Sequence, residues 1–304
     1  MELPPDCSLH WQPAFPVDAK LTLKNLRRGR HDPTHREEAD GTLWRTALAP
    51  SGPVTYRIRQ QRLDDLHVDA WGPGAAELVD NIRTELGEHD NPEDFRPAHP
   101  VLERAWSRLP GLRVPHTGRL FEALVPAILE QRVVGLDAQA AWTRLVGAHG
   151  GPAPGPAPDP MRVMPSPEVW ANLPIWEWRR AGVDLHRSKT VIFAARYAAK
   201  LDRAAGDAAR AYQLMAAMPG VGVWTSAQVG HRALGDADAL PLGDFHLGRM
   251  TGTALLGHPL AQHEIEAFYL PWRPHRYRVV RLLELTPRAA PRRSHRAPRA
   301  RPFR

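Results

Sequence analysis

The residue types best suited to chemistry lie in residues 214–250, LMAAMPGVGVWTSAQVGHRALGDADALPLGDFHLGRM. Pro219 ends one helix, and Gly220 and Gly222 allow a tight turn close to another backbone. The helix that follows begins with unpaired amide N–H groups at the positive end of its dipole, which together form a site for an anion. On DNA that anion is a backbone phosphate. One turn into this helix stands Trp224, and Gln228 shares its face at i+4. Asp244 follows twenty residues after Trp224 and opens another apolar-periodic run, where an Asp is a good helix N-cap. Metal chemistry has little support. Cys7 is the only cysteine, which excludes an intramolecular disulfide and any all-cysteine zinc or iron–sulfur site. The 15 histidines are dispersed, and no metal-ligand cluster is apparent.

Two kinds of element must position these residues. Residues 42–49 and 53–60 are rich in β-branched and aromatic side chains around the turn-forming Pro50-Ser51-Gly52, which predicts a hairpin, with residues 66–70 as a third strand. Residues 74–86 carry Ala75, Leu78, Val79 and Ile82 at helical spacing. From Pro100 onward helical periodicity dominates, in residues 101–109, 120–134 and 136–148 and then in shorter runs up to 275–285. The loop GGPAPGPAPDP interrupts it at 150–160. The expected fold class is α+β: a mixed α/β domain over 1–95, an all-helical domain over 96–286, and a Pro/Arg-rich tail over 287–304.

The net charge of +7 is local. The tail carries seven arginines and no acid, and without them 33 bases face 33 acids. Such a tail is too poor in apolar residues to fold and offers unspecific phosphate attraction at most. No apolar run approaches the 18 or so residues of a membrane span. The N-terminus lacks a basic-then-apolar signal pattern, so the expectation is a cytoplasmic, nucleoid-associated monomer.

The run Met218-Pro219-Gly220-Val221-Gly222-Val223-Trp224-Thr225, with Asp244 in Pro241-Leu242-Gly243-Asp244-Phe245-His246-Leu247, resembles the helix-hairpin-helix DNA glycosylase superfamily. The resemblance extends to LVPAILEQRVVGLDA at 124–138, to 165–201 and to 271–285, and is strongest with the 3-methyladenine, alkylation-repair branch. It implies binding of double-stranded DNA and excision of alkylated purines in base excision repair, leaving an abasic site. It also implies Asp244 as the catalytic carboxylate, and Pro219, Gly220, Val221, Gly222 and Thr225 as the DNA-gripping hairpin. Breaking the bond between sugar and base builds positive charge on the sugar, which a carboxylate stabilises while orienting water. An alkylated purine is itself cationic and suits an electron-rich pocket entered by base flipping. Trp224, Gln228, Trp272 and Tyr277 are the pocket candidates, while core packing is the expectation for Trp176 and Trp178. Gln131 matches a Gln that precedes the stack-filling wedge, which makes Arg132 the wedge candidate. Strand-cutting relatives carry a Lys where this chain has Trp224, so the resemblance implies a monofunctional enzyme. No cofactor is expected beyond a monovalent cation on the hairpin carbonyls. Two alternatives stand beside this reading: a catalytically silent DNA-binding protein, and a glycosylase for a different damaged base.

Overall fold

A computed structural model of the chain describes residues 3–286; the basic tail lies outside them. Five antiparallel strands form one sheet in the order β1-β5-β4-β3-β2. They are β1 (Cys7–Trp11), β2 (His35–Glu37), β3 (Leu43–Ala49), β4 (Gly52–Arg62) and β5 (Asp65–Trp71). The expected hairpin is β3–β4, closed by the Ala49–Gly52 pair, with Gly52 at φ 135°. Val54, Tyr56 and Ile58 on β4, and Leu66, Val68 and Ala70 on β5, alternate inward with the period of a strand. Against them lies helix Ala75–Glu85, which contributes Ala75, Leu78 and Ile82 from one face.

The sequence patterns missed β1 and β2, which are short and lie at the two edges of the sheet. Only pairing with their neighbours defines such strands.

The helical part is built around helix Leu120–Leu129, in which every residue but Glu122 is buried. It packs on helices Val223–Ala233 and Leu185–Arg196. Arg187 fixes its C-terminal end by donating to the Leu129 carbonyl at 2.7 Å, while Asp184 caps the helix that carries Arg187. Residues 120–134 were expected to be one helix, but the helix stops at Leu129. Arg132 takes a left-handed backbone at φ 54°, which a continuing helix forbids. Trp178 is fully buried as expected. Trp176 is not: it is 60% exposed, because two positions along helix Ile175–Ala181 turn it to the opposite face.

Sheet and helices are joined by a buried ionic cluster. Glu85, at the end of helix Ala75–Glu85, accepts from Arg45 of β3 and from Arg119, each at 2.9 Å, and from the Tyr56 hydroxyl at 2.5 Å. Arg119 and Arg45 reach on to Glu122 at 3.0 and 3.2 Å. Burial alone would raise the Glu85 carboxyl, but Arg119, Arg45 and the Tyr56 hydroxyl outweigh it and hold it below its ordinary value.

Candidate active site

Helix Ala208–Ala216, the turn at 217–222 and helix Val223–Ala233 form the hairpin. Gly220 sits at φ 83° against helix Leu185–Arg196, where an added Cβ would lie 2.3 Å from Thr190 Oγ1. Glycine is required there for both reasons. Gly222 precedes the second helix and is exposed, with open space where a side chain would be. It supplies no capping oxygen, and the first main-chain bond runs from Ser226 N to the Gly222 carbonyl at 2.9 Å. The amides of Val223, Trp224 and Thr225 therefore have no main-chain partner among the described residues. Donors at a solvent-open helix start bind anions.

Asp244 faces this hairpin. Its Oδ2 accepts from the Trp224 indole N–H at 3.1 Å, and its Oδ1 accepts from the amides of His246 and Leu247 at 2.8 and 3.1 Å. The N-cap position of helix Leu247–Leu255 is His246 and not Asp244 as expected, but the Asp244 side chain holds the turn into that helix and presents a fixed carboxylate beside Trp224. Gln262 Nε2 donates to the Asp244 carbonyl at 3.0 Å and holds the loop from behind. A half-buried carboxylate held in this way can stabilise a developing cation and orient a water.

Gln131 joins the hairpin through its Nε2, which donates to the Gly220 carbonyl and to Thr225 Oγ1, both at 2.8 Å. Arg132, next in the chain, is exposed and held out by its left-handed backbone. Pro219 and Gly220 are exposed, whereas Val221 and Thr225 are buried and anchor the turn.

The pocket candidates fare differently. Trp224 is half-buried beside Asp244. Trp272 lies in the C-terminal core: its indole donates to the Pro97 carbonyl at 2.8 Å and its ring packs on Phe268 and Tyr269. Tyr277 is buried and stacked on His231, with centroids 3.8 Å apart, and its hydroxyl has no partner among the described residues. Gln228 is buried and its Oε1 accepts from Arg232.

Sequence reasoning named Gln228 and Tyr277 but missed Arg232 and His231 between them. Arg232 follows Gln228 by another turn of the helix and also donates to the carbonyls of Asn25 and Gln228, at 3.0 and 2.8 Å. All its acceptors are neutral, and no carboxylate pairs with it among the described residues. Burial, with the charge of Arg28, pushes it down to about 10. Burial and the charges of Arg232 and Arg28 hold His231 well below its usual value, so its ring is neutral at pH 7. The sequence signal was an Arg two turns beyond Trp224 on a face that packing buries. Three exposed apolar side chains were missed as well: Val223 at the helix start, Phe245 beside Asp244 and Leu136 after the Arg132 turn.

A 3-methyladenine DNA-glycosylase from Archaeoglobus fulgidus superposes with a TM-score of 0.74 at 15% identity, over 90% of this chain and 96% of that one. The chain has the helix-hairpin-helix DNA glycosylase fold. An 8-oxoguanine glycosylase/lyase from Clostridium acetobutylicum shares the fold, with a TM-score of 0.68 at 12% identity over 93% and 97% of the two chains. In sequence the chain is 32% identical over 182 residues to the "Probable bifunctional transcriptional activator/DNA repair enzyme AlkA" of two Mycobacterium tuberculosis strains. The match takes in 59% of this chain and 36% of those proteins, so it spans little more than a third of their length. No known family profile matches. The similarity to this glycosylase fold, with its 3-methyladenine members, agrees with the resemblance read from the hairpin and Asp244. No helix among the described residues is long and apolar enough to cross a membrane.

Proposed function

We propose that this chain is a monofunctional DNA glycosylase of base excision repair, which flips a damaged base out of duplex DNA and hydrolyses its bond to the sugar. The observation that carries the reading is the bond from Trp224 to Asp244, which ties a fixed carboxylate to the helix whose free amides suit a phosphate. In this reading the amides of Val223, Trp224 and Thr225 grip the strand. Arg132 fills the place left by the flipped base, and Asp244 stabilises the positive sugar as the bond breaks. Its partner is double-stranded DNA, bound by a monomer. A monovalent cation beside the phosphate would rest on main-chain carbonyls of the 218–222 turn, whose side chains offer no carboxylate. Its charge would offset that of the phosphate, and no step depends on it.

Trp224 supports release without strand cutting, since an indole cannot form a Schiff base. Alkylated purines of the 3-methyladenine type are the first substrate class, supported by the similarity to AlkA and by the Trp224 ring. The test is incubation with methylated duplex followed by assay for abasic sites. Formation of abasic sites without strand breaks is expected. Intact methylated bases would leave a silent DNA binder, and strand cutting would overturn the role of Trp224.

One observation favours a second reading of the substrate. Beyond Trp224 the buried face of the hairpin helix carries Gln228 and the cation of Arg232. These suit a neutral base with carbonyl oxygens better than a cationic one. Duplexes carrying 3-methyladenine, 7-methylguanine, hypoxanthine, uracil or 8-oxoguanine, with identification of the released base, separate the two.

A further inference from the structure

The outer face of the sheet carries a cluster that the sequence hid. His10 on β1 and His67 on β5 are direct partners in the strand register, 57 residues apart in the chain. Their rings stack at 4.1 Å with 9° between planes. Asp65 stands two residues before His67 and so shares its face. Its Oδ1 lies 2.7 Å from His10 Nε2 and 3.7 Å from His67 Nε2. One ligand atom from each residue can be chosen so that all lie within 4.8 Å of one another. The expectation of no metal-ligand cluster is corrected here, because strand pairing and not chain spacing brings the three together.

We propose that His10, Asp65 and His67 form a binding site for one late first-row divalent cation, of the zinc, cobalt or nickel type. Around a tetrahedral zinc, ligand atoms 2.0–2.1 Å from the metal lie about 3.3 Å from one another. The 2.7 and 3.7 Å separations bracket that spacing, and the two imidazoles would turn out of their parallel stack to aim both nitrogens at one ion. Two imidazoles and one carboxylate suit these ions, whereas magnesium and calcium prefer all-oxygen shells. The three side chains are open to solvent, so water completes the coordination. The cations of β4 beside the cluster are held elsewhere. Arg59, the register partner of His67, pairs with Asp69 at 2.8 Å, and Arg62, next to Asp65, pairs with Asp64.

The consequence is mechanical. β1 is an edge strand, and a metal bridging it to β5 would staple it to the sheet. A ligand that binds only the folded state raises the melting temperature.

The test uses the full chain, free of any histidine tag and stripped with chelator. Zinc titrated by calorimetry should bind at one ion per chain and raise the melting temperature by several degrees. Cobalt(II) should give the visible absorption of a four-coordinate ion, and magnesium at the same concentration should give no heat. His10→Ala and His67→Ala should each weaken zinc binding roughly tenfold or more. Circular dichroism and base release should be unchanged, since neither residue belongs to the proposed active site. Absence of zinc binding overturns the proposal. So does equal binding by the His10→Ala/His67→Ala double variant, which would place the metal on other histidines.

Discussion

The molecule holds two buried clusters built around arginine, and they are satisfied in opposite ways. At the junction of sheet and helices, Arg45 and Arg119 share the carboxylates of Glu85 and Glu122. Beneath Trp224, Arg232 has only carbonyls, an amide oxygen and a neutral imidazole, with the orphan Tyr277 hydroxyl on the ring stacked against that imidazole. Burying a charge is costly, and the cost is offset when the charge is paired. A cluster that closes on itself holds the fold. One that leaves a cation under-neutralised costs stability, and a ligand that completes it recovers the difference.

The largest expected effect tests the closed cluster. Glu85→Ala leaves two buried guanidinium groups with the single carboxylate of Glu122 and should cost about 3–5 kcal/mol, seen as a melting temperature lower by roughly 10 °C or more. The same cluster sets a pH dependence. With its folded-state pKa depressed, Glu85 contributes in full above the unfolded value of about 4.5 and loses its contribution as pH falls through the depressed value. Thermal melts of wild type between pH 3 and 7 check this, and a flat profile would count against it.

Next comes the site. Asp244→Asn keeps an oxygen to accept from the amides of His246 and Leu247, so folding and DNA binding should persist while single-turnover base release falls about 10²–10³-fold. Asp244→Ala should additionally lower the melting temperature, since it loses the bonds to the amides of His246 and Leu247, worth about 1 kcal/mol. Unchanged release by the Asn variant would remove the carboxylate from the mechanism.

Arg232→Met sharpens the contrast most directly. Replacing a buried cation with no carboxylate partner by an apolar chain of similar size removes its desolvation cost but frees the acceptors of Asn25 and Gln228, so the melting temperature should fall less than in Glu85→Ala. Base release should still slow by roughly tenfold, about 1.4 kcal/mol. If this variant melts as early as Glu85→Ala, the two clusters do the same job and the distinction is lost. Gln131→Ala is the mildest. It removes the hydrogen bonds to Gly220 and Thr225, at a cost of about 1 kcal/mol, read as a few-fold weaker DNA binding.

Much of this molecule was legible in the chain, because its signals are local. The β3–β4 hairpin, helix Ala75–Glu85 and the two hairpin helices follow from alternation, periodicity and glycine turns. Trp224 and Asp244 were readable as a pair only through resemblance, since twenty intervening residues carry no geometric signal. What escaped depends on tertiary contact. Trp272 and Trp224 are the same residue type, and only packing separates a core ring from one beside the carboxylate. Nothing in the chain announces that the Asn25 segment closes over Arg232. His10 and His67 meet through strand register alone.

The contact of Gly220 with Thr190 has a consequence for how a duplex would be engaged. With no room for a side chain between the turn and the helical core, the proposed strand grip and carboxylate would work like the jaws of a fixed gauge. A duplex measured by such a gauge must itself deform to bring a nucleotide into reach. Discrimination would then begin with how readily a stretch of DNA yields, before any atom of the base is read.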